Sequence, residues 1–293
     1  LSRGQRALDR AVAVRHLQMM QNAPESWPSP LWTIAALAAL LAVIGWLLGG
    51  LGGLVVVGLG TVLSLALTPR LPAAAIMRVL RARPVRPVWR GDGWSDVGAL
   101  IAALSAQAGL ARPPALYVQP TAQPRAFAVG EGDDTAIAVS DGAARALGPR
   151  QLQAVLAHEI WHLAAGDTRW LLLAETQSRV VQTVAFVGLL AAFFSALFYG
   201  KAGLTGAALL VLAVSPFISR LLILALSRSR EFAADAGAVH LTGDARSLAS
   251  ALARIEQLSL LQWGGAYAAA LRAIPPALRT HPPTEERIAR LLG

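Results

Sequence analysis

Apolar positions in this chain gather into two long blocks set among stretches of ordinary polar patterning. Residues 31–68 run for 38 positions without a charge. At about 1.5 Å per residue, one helix of that length would be nearly twice the roughly 30 Å bilayer core. Gly49-Gly50-Leu51-Gly52-Gly53 interrupts the run near its middle. The pattern therefore predicts a helical hairpin, with spans near residues 32–48 and 54–68 and Pro69 closing the second. The other block covers residues 180–227. It is uncharged from Val180 to Tyr199, turns at Gly200-Lys201-Ala202-Gly203, and then carries only Arg220 up to Ser227. Ser215-Pro216 predicts a kink in that last span. Trp27, Trp32, Trp46 and Tyr199 stand near the proposed ends, where aromatic residues favour the membrane interface.

Outside these blocks the pattern is that of a folded domain. Pro72–Gly93 is rich in Pro and Arg and reads as a linker. Val97, Leu100, Ile101 and Leu104 repeat at helical spacing behind the capping pair Ser95-Asp96, and Gly109 ends that helix. Ala115–Val118, Ala126–Val129 and Ala136–Val139 are β-prone, and Gly130–Thr135 joins the last two as a hairpin. Gly148-Pro149 opens a long helix, with Pro in its first turn.

Charge orients this arrangement. Residues 1–30 carry four Arg, 70–179 twelve and 228–293 eight. By the positive-inside rule both termini and the middle segment are cytoplasmic. The predicted organisation is a cytoplasmic segment 1–30, a transmembrane hairpin 31–69, a cytoplasmic catalytic part 70–179, a second hairpin 180–227 and a cytoplasmic part 228–293. Arg3–Met20 could lie on the membrane as a basic amphipathic helix or extend as a solvated tail.

Composition agrees. The chain is 55% hydrophobic, only 15% charged, and has a mean hydropathy of +0.51. An average soluble protein carries roughly 25% charged residues. These values exclude a disordered or collagen-like chain and weigh against an ordinary soluble enzyme. The net charge of +9 first suggests nucleic acid or an anionic membrane surface. One-sided arginines account for most of it, and no nucleic-acid-binding signature accompanies it. There is no Cys, so any metal must rest on His and carboxylates.

The long helix contains His158-Glu159-Ile160-Trp161-His162. Residues i and i+4 share a helix face, so two imidazoles can grip one ion. Glu159 is offset by about 100°, which suits it to take a proton from water activated by that ion. Zinc matches two imidazoles and a carboxylate with one position left open. The longer pattern with a third His is absent, since Ala165 and Thr168 occupy its Gly and His positions. Glu231 and Asp235, after the last span, share a helix face. Glu231 can complete a His-His-Glu site, and Asp235 can accept a hydrogen bond from a ligand imidazole, His158 being the better placed. His281 and Arg287 can stabilise an oxyanion or belong to a Pro-Pro turn capping a terminal helix, Thr284–Leu292. His240 is assigned a structural role, Arg220 is expected to snorkel, and His16 has no nameable partner.

These stretches resemble the HtpX-type membrane zinc metalloproteases, relatives of the CAAX prenyl proteases. The resemblance rests on Ala126–Gly130, Leu156–His162 with Gly166-Asp167, Ser227–Asp235 and His281–Arg287, in the family's order. Arg125 stands where the family usually has Asn. The resemblance implies zinc on His158, His162 and Glu231, with Glu159 as general base and His281 or Arg287 near the reacting carbonyl. It also points to Ala126, Phe127, Ala128 and Val129 as an edge strand that can hold extended substrate, the alternative being an internal strand of a small sheet. The expected protein is mainly α, with four transmembrane helices in two hairpins. A cytoplasmic zincin-like α+β catalytic domain with a small β-sheet completes it, interrupted by the third and fourth spans. The expected activity is cytoplasmic endoproteolysis of membrane or misfolded proteins at the bacterial inner membrane, in envelope quality control. Its partners would be polypeptides and the lipid bilayer, not nucleic acid. The alternative is a catalytically silent, zinc-containing membrane scaffold.

Overall fold

The computed structural model describes residues 29–66, 72–85, 94–201, 203–273 and 281–293. The N-terminal segment, Trp27, the end of the second predicted span and the second half of the predicted linker lie outside them. The chain divides into two compact units.

Helix α1 (Pro30–Ala66) belongs to the apolar unit and is not straight. Gly49 and Gly50 leave the helical region, Gly50 with φ 56° and ψ −137°. The backbone at Gly53 then comes back against Gly45, so close that a Cβ at Gly45 would sit 2.9 Å from the Gly53 carbonyl oxygen. Eight residues along an unbroken helix would instead separate them by about 12 Å. The chain thus reverses where the glycine run predicts.

The other unit begins with α2 (Ala73–Val79), β1 (Arg83–Pro84) and α3 (Trp94–Gln107). The expected linker is thus partly wrong. Ala73 and Met77 are buried against the sheet, and this tertiary contact, invisible in local Pro and Arg content, orders the segment. Strands β2 (Ala115–Gln119), β3 (Ala126–Glu131) and β4 (Asp134–Ser140) follow. The sheet order is β1-β2-β4-β3, with β2 and β4 parallel and the outer pairs antiparallel. Strand β4 is the core of this unit. Its Ile137 and Val139 pack with Leu156 and Ile160, while Ala136 and Ala138 pack with Ala73 and Met77. Burial on both faces explains its unbroken apolar run. Among the described residues, strand β3 lies at the edge of the sheet with no strand on its other side.

Ser140 accepts the Ala143 N–H at 3.0 Å and starts α4 (Asp141–Ala146). Gln151 reaches back to the Gly148 N–H at 2.9 Å and starts α5 (Pro149–Ala164), the helix of the HExxH sequence. Helices α6 (Asp167–Tyr199) and α7 (Gly206–Thr242) carry the second apolar block. Together with α1 they are, among the described residues, the three helices long and apolar enough to cross a membrane. Within the apolar unit they bury Leu37, Leu41, Ile44, Val181, Leu212 and Leu226. Pro216 sits inside α7 without ending it. The carbonyl its missing N–H would leave free is that of Leu212, and the Ser215 hydroxyl donates to it at 3.2 Å. Arg220 does not simply snorkel. It pairs with Glu175 of α6 at 3.6 Å, and Glu175 also receives Arg179 Nε at 3.3 Å.

The last residues of α7, then α8 (Ala245–Ala273) and α9 (Thr284–Leu292), return to the unit that holds the sheet. Leu248 and Ala251 of α8 join the core under α5.

Candidate metal centre

Three side chains converge between α5 and the end of α7. His158 and His162 face the same way one turn apart, as their spacing requires. Their Nε2 atoms are 3.1 Å apart. Glu231 reaches them from α7, with Oε2 3.6 Å from His158 Nε2 and Oε1 3.9 Å from His162 Nε2. One ligand atom from each residue fits within a 4.8 Å group.

The far side of each imidazole faces a carboxylate. His158 Nδ1 lies 3.0 Å from Asp235 Oδ1, the partner expected from the sequence. His162 Nδ1 lies 2.7 Å from Asp167 Oδ2. A carboxylate on that side favours the proton on each Nδ1 and leaves each Nε2 lone pair turned toward Glu231. Two lone pairs at 3.1 Å beside a carboxylate repel unless a cation lies among them. The residues present thus fit a divalent ion. Without one, a proton supplies the positive charge. Burial works against His158, but the Asp235 and Glu231 carboxylates outweigh it and raise its pKa to about 9.

Asp167 is a functional candidate that sequence spacing did not expose. Five positions after His162 on an unbroken helix, it would point away. Gly166 adopts φ 68°, ending α5 and swinging Asp167 back beneath the imidazole. Asp167 is buried and is also held by Arg230 Nε. The Gly166-Asp167 pair directly behind the HExxH helix was the available signal.

Arg287 is drawn into the same network. Its guanidinium forks onto Asp235, donating from Nε at 2.8 Å and from Nη2 at 2.6 Å. Its Nη1 lies 3.1 Å from Glu231 Oε2. His281 Nδ1 lies 3.1 Å from Glu231 Oε1, with most of its ring in solvent. Burial opposes ionisation of both carboxyls. Hydrogen bonds from His158 and His281 nevertheless hold Glu231 well below the usual range, and those from Arg287 and His158 hold Asp235 low. The bond to Glu231 raises His281. His240 is exposed at the end of α7 and takes no part.

Glu159 is partly buried beside the two imidazoles. Burial pushes its pKa up, against the pull of His158 and His162. The main-chain N–H of Ala128 on strand β3 also pulls the Glu159 pKa down. The Ser140 N–H donates to the Arg125 carbonyl at 2.9 Å. Alternation along the antiparallel pair then turns the main chains of Ala126 and Ala128 to the open edge.

Helices α5 and α7 are locked together by a glycine. A Cβ at Gly237 would overlap the indole ring of Trp161, the residue before His162. Gly237→Ala should cost about 1–3 kcal/mol and weaken metal binding by displacing His162. Denaturant unfolding and metal titration of this variant check both. Combining it with Trp161→Phe should recover part of the loss.

A family profile for peptidase family M48 matches residues 95–293. The chain belongs to peptidase family M48. The M48 match takes in His158, His162, Glu231 and the C-terminal helix. Relatives named Protease HtpX homolog are similar over most of their length. That of Acaryochloris marina is 35% identical over 263 residues, covering 84% of this chain and 86% of the relative. That of Acidiphilium cryptum is 33% identical over 288 residues, covering 88% and 93%. That of Pyrococcus abyssi is 31% identical over 273 residues, covering 88% and 92%. Among solved structures, the crystal structure of S. mikatae Ste24p aligns with a TM-score of 0.46 and 19% identity. It takes in 88% of this chain, which spans only 62% of that one. The protein is thus a membrane-associated metallopeptidase of the M48 family, a family that is metal-dependent and acts on polypeptides.

Proposed function

We propose that this M48 peptidase is a zinc endopeptidase of the gluzincin type, cutting membrane or misfolded proteins at the cytoplasmic face of the bacterial inner membrane. The convergence of two Nε2 lone pairs and the Glu231 carboxylate, with Glu159 alongside, supports this reading most directly. His158, His162 and Glu231 hold the ion, and Asp235 and Asp167 fix the two imidazoles. Zinc held there would polarise the scissile carbonyl and make a water more acidic. Glu159 takes the proton of the attacking water on its carboxylate and passes it to the leaving amine. The open edge at Ala126–Val129 holds the substrate as an added strand. His281 and Arg287 supply positive charge near the developing oxyanion.

The reversal at Gly49–Gly50 supports counting α1 as two spans, giving four in two hairpins. The arginine distribution supports placing both termini and the catalytic parts in the cytoplasm. Envelope quality control is supported by the resemblance and by Glu231 being carried on α7, a helix continuous with an apolar span.

Purified protein in detergent should cleave an unfolded polypeptide such as casein. Chelation should abolish the cleavage and added zinc restore it. Cleavage that persists after the protein is shown to be metal-free overturns the proposal. Tight zinc binding with no cleavage of any unfolded or membrane-derived polypeptide favours the scaffold instead.

A further inference from the structure

Helix α2 ends in an unusual way. The Ala82 N–H donates to the Met77 carbonyl at 2.9 Å, and the Arg81 N–H donates to the Arg78 carbonyl at 3.0 Å. This pair of bonds closes a helix on a left-handed residue, a place usually filled by glycine because a side chain there costs energy. Here the residue is Arg81, with φ 58°, and among the described residues no other non-glycine has positive φ. Arg81 is exposed, so buried packing does not compensate for the strain. Strain held at an exposed charged residue points to a use for that residue.

The turn is firmly built. Met77 and Ala82 are buried under the sheet. The buried Gln119 amide donates to the Leu80 carbonyl at 2.8 Å, and Arg125 Nε donates to Gln119 Oε1 at 2.7 Å. Between these anchors the apolar side chains point outward. Val79 is 82% exposed, and Leu80 is exposed beside it. Arg78, Arg81 and Arg83 surround them, all in solvent. The turn therefore presents two bare apolar side chains ringed by guanidinium groups on a fixed support. Such a tip suits the bilayer interface, where apolar groups enter the acyl boundary and arginines meet lipid phosphates. Ala73 follows Ala66 of the apolar helix by seven residues, a tether of at most about 24 Å.

We propose that the Val79–Arg83 turn docks on the anionic headgroups of the membrane the protein spans, Val79 and Leu80 inserting and the three arginines binding phosphate. The turn then anchors the sheet, and with it the β3 edge, at the membrane surface. This inference rests on membrane insertion and not on the chemistry of the metal centre.

The chain has no Cys, so Val79→Cys accepts a single nitroxide label. The labelled protein is placed in nanodiscs of phosphatidylcholine alone or with phosphatidylglycerol, and the label's accessibility to oxygen and to a water-soluble nickel chelate is read by EPR. In the anionic discs the label should be reached by oxygen and shielded from nickel. Changing Arg78, Arg81 and Arg83 to Gln should lower that preference about fivefold per arginine. Arg81→Gly should raise the unfolding temperature in detergent while weakening the anionic preference. A label equally open to nickel in both lipids overturns the proposal. So does a label shielded from both reagents in both lipids, which would place a protein on the tip, or an Arg81→Gly gain in stability with no lipid effect.

Discussion

Glu159→Gln leaves the metal in place and lowers kcat/KM by about a hundredfold to ten-thousandfold, the range for losing a positioned general base. Glutamine matches glutamate in shape and can occupy the same place beside strand β3. The three groups proposed to hold the ion, His158, His162 and Glu231, are untouched. Only the capacity to take and return a proton is removed. Burial raises the Glu159 pKa, the direction that makes a carboxylate a stronger base. Metal content by mass spectrometry and cleavage of an unfolded substrate read the two effects separately. A variant with full metal content and cleavage within a fewfold of the parent would remove Glu159 from the chemistry.

The HExxH spacing alone placed His158 and His162 on one helix face, and the spacing of Glu231 and Asp235 placed that pair on another. Meeting between the two faces required the tertiary fold, yet the scarcity of other metal-binding residue types left few choices. Strand β4 was legible as a β-prone run, and the reversal in α1 as a cluster of glycines. What escaped were contacts made by neither local period nor local composition. Ala73 and Met77 order a stretch whose sequence looks like linker. Glu175 meets Arg220 from another helix, so the arginine read as solitary has an acidic partner. Ala128 at a sheet edge comes beside Glu159 on a helix. In each case the determining partner lies dozens of residues away, where no spacing rule reaches.

Asp167→Ala weakens metal binding about 10–100-fold, the usual cost of removing the group that orients a ligand imidazole. It also destabilises the protein by about 3–5 kcal/mol, the cost of leaving a largely buried charge without its partner. Two separate losses are involved. The His162 Nδ1–H loses its acceptor at 2.7 Å, so the ring is free to rotate or change tautomer and its Nε2 is no longer held toward Glu231. Arg230 loses the carboxylate that neutralises it, next to the residue that supplies that carboxylate ligand. A second change separates the two. Asp167→Ala with Arg230→Met removes the stranded cation, so stability should recover while metal affinity stays low. Asp167→Asn should behave the other way: its carbonyl can still accept from His162, which preserves most of the affinity, but Arg230 is left without an opposing charge and stability falls. Chelator competition gives the affinity, and denaturant unfolding of the metal-free protein gives the stability. Parental zinc affinity in Asp167→Ala would show that His162 is held by α5 alone, and that the left-handed turn at Gly166 serves the packing of α6 rather than the metal centre.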